Sequence, residues 1–159
     1  NRQRIEMPFF LHLSAAQKQY LLDRFGLSDK QAIAGFLHGF IDYCFAYRGK
    51  YYVLDYKSNK LGEHIDNYHQ IAMHAAMLEH HYDLQALIYT AALCKHLHIF
   101  DADSYHKYIG GYYYLFIRGM NNQPATADHG IYFHCLEWQQ LQPLLGNEVE
   151  VKAKAGEAR

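Results

Sequence analysis

Two aspartates and a lysine, Asp42, Asp55 and Lys57, stand where strand pairing would gather them. They lie in GFIDYCFAYRGKYYVLDYKSN, residues 39–59, where two apolar runs, 40–47 and 50–56, flank the dipeptide Arg48-Gly49. A two-residue loop with glycine second is a common hairpin connection. If Tyr47 pairs with Lys50, counting along both strands sets Asp42 opposite Asp55. Opposed side chains share a face with Cβ atoms roughly 4.5–5.5 Å apart, and carboxylates that close repel unless a proton or a cation neutralises them. The hairpin therefore asks for a metal ion. Lys57, two residues beyond Asp55, projects to the same face by the strand period of two. A slip of one residue would change both the partner and the face of Asp42. The same charges also fit an exposed edge hairpin facing water. Tyr51, Tyr52, Val53, Leu54 and Tyr56 argue instead for a strand buried on both faces, where charges are seldom placed without a partner.

Three stretches carry a resemblance: residues 39–62, YDLQALIYTAAL at 82–93 and GGYYYLFIRGM at 110–120. Their order and spacing, matched over about Glu6 to Tyr132, closely resemble the C-terminal nuclease domain of the RecB family of exodeoxyribonuclease V beta subunits, within the PD-(D/E)xK nuclease superfamily. The resemblance implies that Asp42 and Asp55 are acidic metal ligands, that the backbone carbonyl of Tyr56 is a further ligand, and that Lys57 is the catalytic lysine. Glu6, in an early strand over 5–13, falls where the family places another active-site acid. Gln85 and Tyr89 match its Q-xxx-Y motif on a helix beside the catalytic centre, in contact with substrate; a spacing of four puts them on one helical face. Read without the resemblance, they are a polar edge and a core tyrosine.

These residue types suit phosphodiester hydrolysis. Mg²⁺, with Mn²⁺ as a possible substitute, prefers hard oxygen ligands, acidifies water and neutralises charge on the phosphate oxygens. A lysine fixed beside it can orient the water or stabilise charge in the transition state. The resemblance also implies a metal-ligating histidine on a helix upstream of Asn1, so the chain reads as a fragment that binds metal weakly. The implied function is a metal-dependent exodeoxyribonuclease domain acting on single-stranded DNA or unwound duplex ends in double-strand-break repair and recombination, alongside other helicase–nuclease subunits. The alternative is a catalytically silent docking or DNA-path module.

The elements that must position these groups follow from periodicity and caps. A strand is expected over 5–13, then a helix opened by the Ser14/Gln17 capping box and ended near Gly26. After the hairpin, 65–80 reads as a helix, and Asp83 as the N-cap of a mostly buried helix over 84–97. Residues 112–118 read as a central strand, 119–130 as a loop and 131–136 as a short last strand. The fold class is α/β: a restriction-endonuclease-like central mixed sheet flanked by helices, lacking the N-terminal helical part of the full nuclease domain. One domain spans 1–145, and 146–159 reads as a frayed tail.

With 159 residues, 50% apolar and 16% aromatic, the chain can bury a sizeable core. A formal net charge of −1 gives no global attraction to nucleic acid, so DNA contact must be local or delegated to the rest of a larger protein. Cys44, Cys94 and Cys135 are widely separated in apolar surroundings and read as reduced core residues, with neither a zinc site nor an iron–sulfur cluster expected. His74, His80 and His81 lack the spacing of a helical zinc pair. No signal peptide or membrane span is read, which makes the cytoplasm the default location.

Overall fold

Arg48 and Gly49 both take positive φ, 49° and 79°, the pattern of a type I′ turn whose twist matches the strands it joins. They connect β2 (His38–Tyr47) to β3 (Lys50–Lys57), which pair antiparallel with Tyr47 opposite Lys50. In this computed structural model, which describes residues 3–28, 31–34 and 37–146, β1 (Gln3–Phe10) adds antiparallel to β2. On the other side β4 (Ile109–Phe116) runs parallel to β3, and β5 (Ile131–His134) closes the order β1-β2-β3-β4-β5. The result is a mixed five-stranded α/β sheet flanked by helices, compatible with a restriction-endonuclease-like domain.

The parallel β3–β4 step needs a crossover, and residues 58–108 supply it with α3 (Gln70–Glu79), α4 (Tyr82–His96) and α5 (Ala102–Tyr108). Leu84 and every residue from Ala86 to Cys94 are buried, so α4 is covered on all sides. A helix that apolar all round belongs in the interior. It packs against β3, β4, α3 and α6 (Trp138–Leu145). α1 (Ala15–Phe25) docks on α6 through Gln17, whose Nε2 donates to the carbonyls of Pro143 and Leu144 at 3.1 Å each. Ser14 caps α1 with both bonds of the capping box, and Gly26 ends it at φ 63°. Ser14→Ala is expected to remove about 1 kcal/mol, lowering the midpoint of a thermal melt by about 2–4 °C.

Several expectations are corrected. The first strand stops at Phe10, and Leu11 instead donates its N–H to Leu37 at 2.7 Å. The helix expected over 65–80 is broken: a 3-10 turn at Ile65–Tyr68 leads into α3, with the extended His69 as its N-cap. Tyr68 turns inward there, and its carbonyl accepts from Gly130 N–H at 3.0 Å, a partner that local periodicity does not reveal. His81, in the left-handed region at φ 53°, caps α4, and Asp83 lies inside its first turn. The short helix α2 (Gln31–Ala34), α5 and α6 were not anticipated. Both late strands end early, β4 at Phe116 and β5 at His134. Cys44 and Cys94 are buried as expected, with burial pushing the Cys94 thiol up to about 12, but Cys135 is exposed. The stretch read as a frayed tail lies, from 147 onward, outside the described residues.

Candidate active site

The β2–β3 ladder ends at Tyr43 opposite Leu54, and one further step of that register sets Asp42 against Asp55. The backbone bonding changes at this point. Asp42 Oδ2 accepts the N–H of Tyr56 at 3.1 Å, so a side chain takes over where the ladder stops. Asp55 is 3% exposed, and its pKa is raised to about 6. Burial is the largest cause; Lys57 opposes it and the neighbouring Asp42 carboxylate adds to it. A buried carboxylate beside a second one stores electrostatic free energy that a cation would release.

Lys57 Nζ stands 2.5 Å from Asp55 Oδ2, with both side chains nearly buried. The contact is ionic: Oδ2 receives no donor in hydrogen-bonding orientation. Lys57 donates instead to Gln85 Oε1 at 2.9 Å. Gln85 Nε2 in turn donates to the hydroxyl of Tyr89 at 3.0 Å. The Q-xxx-Y pair is therefore built into the surroundings of Lys57, through an α4 face packed on β3 and β4. Burial first, then the charges of Asp55 and Asp42, raise the pKa of Tyr89 and keep it a neutral hydroxyl.

Glu6 sits in β1 between the pairs Ile5–Tyr43 and Met7–Ile41, at the register position facing Asp42. Glu6, Asp42 and Asp55 thus occupy one row across three adjacent strands. The row does not close: Glu6 is exposed, its φ of 51° interrupts the ladder, and among the described residues no group of three or more His, Cys, Asp or Glu is gathered closely enough to hold a metal. A non-glycine residue with positive φ is uncommon in a strand, and such outliers cluster at functional sites. The buried Asp55 carboxylate, raised in pKa despite its Lys57 partner and set beside a second carboxylate, fits a hard divalent cation, as does an all-oxygen donor set.

Sequence reasoning missed Tyr82 and Tyr114. Tyr114 OH donates to Gln85 Oε1 at 2.9 Å, and Tyr82 OH donates to Asn59 Oδ1 at 2.9 Å. Tyr82 precedes Gln85 by three, a spacing that could have placed both on one helix face. Tyr114 gave no local signal, because only the parallel β3–β4 register sets it beside Asp55.

Comparison with known proteins joins this geometry to a lineage. The chain is 43% identical over 144 residues to the RecBCD enzyme subunit RecB of Escherichia coli, covering 83% of this chain and 12% of that protein. Over this segment the chain belongs to the RecB family. RecB of Haemophilus influenzae is 38% identical over 135 residues (77% of this chain, 11% of that protein), and RecB of Borreliella burgdorferi 33% over 141 residues (81% and 12%). The chain thus spans about an eighth of the length of the RecB relatives it matches. No protein-family model matches it. Among the described residues, no helix is long and apolar enough to cross a membrane.

Proposed function

We propose that residues 1–145 form a metal-dependent DNA nuclease domain of a RecB-like helicase–nuclease. It hydrolyses phosphodiester bonds of unwound DNA during double-strand-break repair and recombination in the cytoplasm. The observation that carries this reading is the buried, proton-avid Asp55 set beside Asp42 and Lys57 in a RecB-like segment. Asp42, Asp55 and the Tyr56 carbonyl would hold Mg²⁺, or Mn²⁺ in its place. When bound, such an ion supplies Lewis-acid charge that acidifies water and neutralises phosphate oxygens.

The chain's own groups do the rest. Asp55 must be ionised to act as a ligand, so at sub-saturating metal activity is expected to fall as pH drops through about 6, and that fall to move to lower pH as the metal concentration is raised. Lys57 brings a fixed positive charge to the pentavalent phosphate, and stabilising that charge needs a cation already in place. Gln85 holds the ammonium from the α4 side, and Tyr89 holds Gln85. A net charge of −1 leaves steering and strand delivery to the longer protein, with the other subunits that the name RecBCD implies as partners.

The test is cleavage of labelled single-stranded DNA with Mg²⁺ or Mn²⁺ present. Asp55→Ala and Lys57→Ala should each lower the rate by at least about 100-fold. Full activity in both variants would refute the assignment. The open row at Glu6 favours a second reading, a silent docking or DNA-path module. That reading requires no cleavage at any divalent metal concentration, and DNA binding that survives Asp55→Ala.

A further inference from the structure

Lysine carries a compact, hydrated charge on a four-carbon stem, and nothing intrinsic to it fixes where the ammonium rests. Here the stem is almost wholly enclosed, with the side chain 11% exposed. Its Nζ lies 4.0 Å from the ring centroid of Tyr82 and 5.1 Å from that of Tyr114, both within the range where a ring face attracts a cation. The two rings stand 5.8 Å apart, tilted by 30° to one another, so the ammonium meets aromatic surface from two elements, α4 and β4.

Both phenol hydroxyls are tied back to the same neighbourhood. Tyr82 donates to Asn59, two residues after Lys57, which fixes the ring against the end of β3. Tyr114, fully buried, donates to the same Gln85 oxygen that receives Lys57. With Tyr89 accepting from the other end of that amide, Gln85 can present only its oxygen to the lysine.

We propose that Tyr82 and Tyr114 are positioning residues for Lys57: their ring faces capture the ammonium between α4 and β4, while their hydroxyls lock the ring and amide that hold it. This deepens the reading of Lys57 as the cation that meets the scissile phosphate and rests on it for its functional consequence. The capture itself does not. An ammonium already immobilised in a dry pocket loses little freedom when the phosphate arrives, and such preorganisation is what makes a fixed charge effective in the transition state. Ordinary core tyrosines would need no such arrangement, since burying a ring requires neither a charge against its face nor a hydroxyl returned to that charge's other partner.

The experiment separates capture from catalysis. The chain is labelled with ¹³C-lysine, and the Lys57 ε-methylene signal is assigned by its loss in Lys57→Ala. In the wild type it should resonate upfield of ordinary lysine through the ring currents of both tyrosines. Tyr82→Leu should move it back toward the ordinary position, and Tyr82→Phe, which keeps the ring face, should restore the upfield shift. In DNA cleavage Tyr82→Leu should lower kcat by about tenfold with KM little changed, and Tyr82→Phe should recover most of the loss. A wild-type Lys57 signal at the ordinary position, or a Tyr82→Leu variant that melts normally with shift and kcat unaltered, overturns the proposal. Cleavage that survives Lys57→Ala would instead sink the nuclease reading of this lysine while leaving the spectroscopic capture intact.

Discussion

At pH 8 and without divalent metal, Asp55→Asn is expected to melt about 6–12 °C above the wild type, and to cleave no DNA once Mg²⁺ is supplied. The sign follows from the direction of the Asp55 shift. Its pKa is about 6 in the folded chain against 3.8 when unfolded, so the folded state holds the proton more tightly. Stability contributed by this group is therefore greatest below about pH 4, declines as pH rises through 6, and stays reduced above it. A shift of about two units corresponds to about 3 kcal/mol. That shift already nets the attraction of Lys57 against burial and Asp42, so asparagine, which has no ionisation to lose, is expected to gain about 3 kcal/mol at pH 8. The gap between variant and wild type should close as pH falls toward 4. Adding Mg²⁺ should raise the wild-type midpoint and leave the variant's unchanged, because only the ionised pair binds. A variant that melts at or below the wild type at pH 8 would show that Asp55 stabilises the fold and carries no electrostatic debt.

The parts of the site legible in the sequence are those whose signals are local. The Arg48-Gly49 turn is a local signal, and because strand pairing counts in whole residues it fixed the register of Asp42 and Asp55 at once. The capping box at Ser14 and the glycine at 26 are equally local, and α1 begins and ends where they place it. What local reading lost depends on contacts far along the chain. Tyr68 breaks a helix whose apolar periodicity was continuous, because its carbonyl and ring serve the 119–130 loop rather than the next helical turn. Tyr114 reaches Lys57 only through a crossover of about fifty residues. Glu6 came only from the resemblance, and its positive φ turns the ladder aside, which no strand pattern announces. Each miss is a tertiary demand overriding a local preference.

That loop is also where a single methyl group should do the most damage to the fold. Gly130 has φ 78°, and a Cβ built there would lie 2.6 Å from Met120 N and 2.7 Å from both Gly119 C and Phe116 O. All three are backbone atoms, so no side chain can swing away to make room. Gly130 also joins two elements: its carbonyl accepts from Phe116 N–H at 2.8 Å and its N–H donates to Tyr68 at 3.0 Å. Past the end of β4, Ile117 N–H bonds the Lys57 carbonyl at 3.0 Å and Arg118 Nε bonds the Ser58 carbonyl at 2.7 Å, so this turn braces the chain as it leaves β3. Gly130→Ala is expected to lose about 3–5 kcal/mol, combining the left-handed backbone penalty with overlap that only a shift of the loop can relieve. Gly49→Ala isolates the first of these, since Gly49 has the same sign of φ, 79°, and nothing within 4 Å of its Cβ position. It should cost about 1 kcal/mol. Denaturant titration of both variants measures the difference. Equal losses would mean that the backbone crowding around Gly130 relaxes freely, and that the loop does not hold the exit of β3 in place.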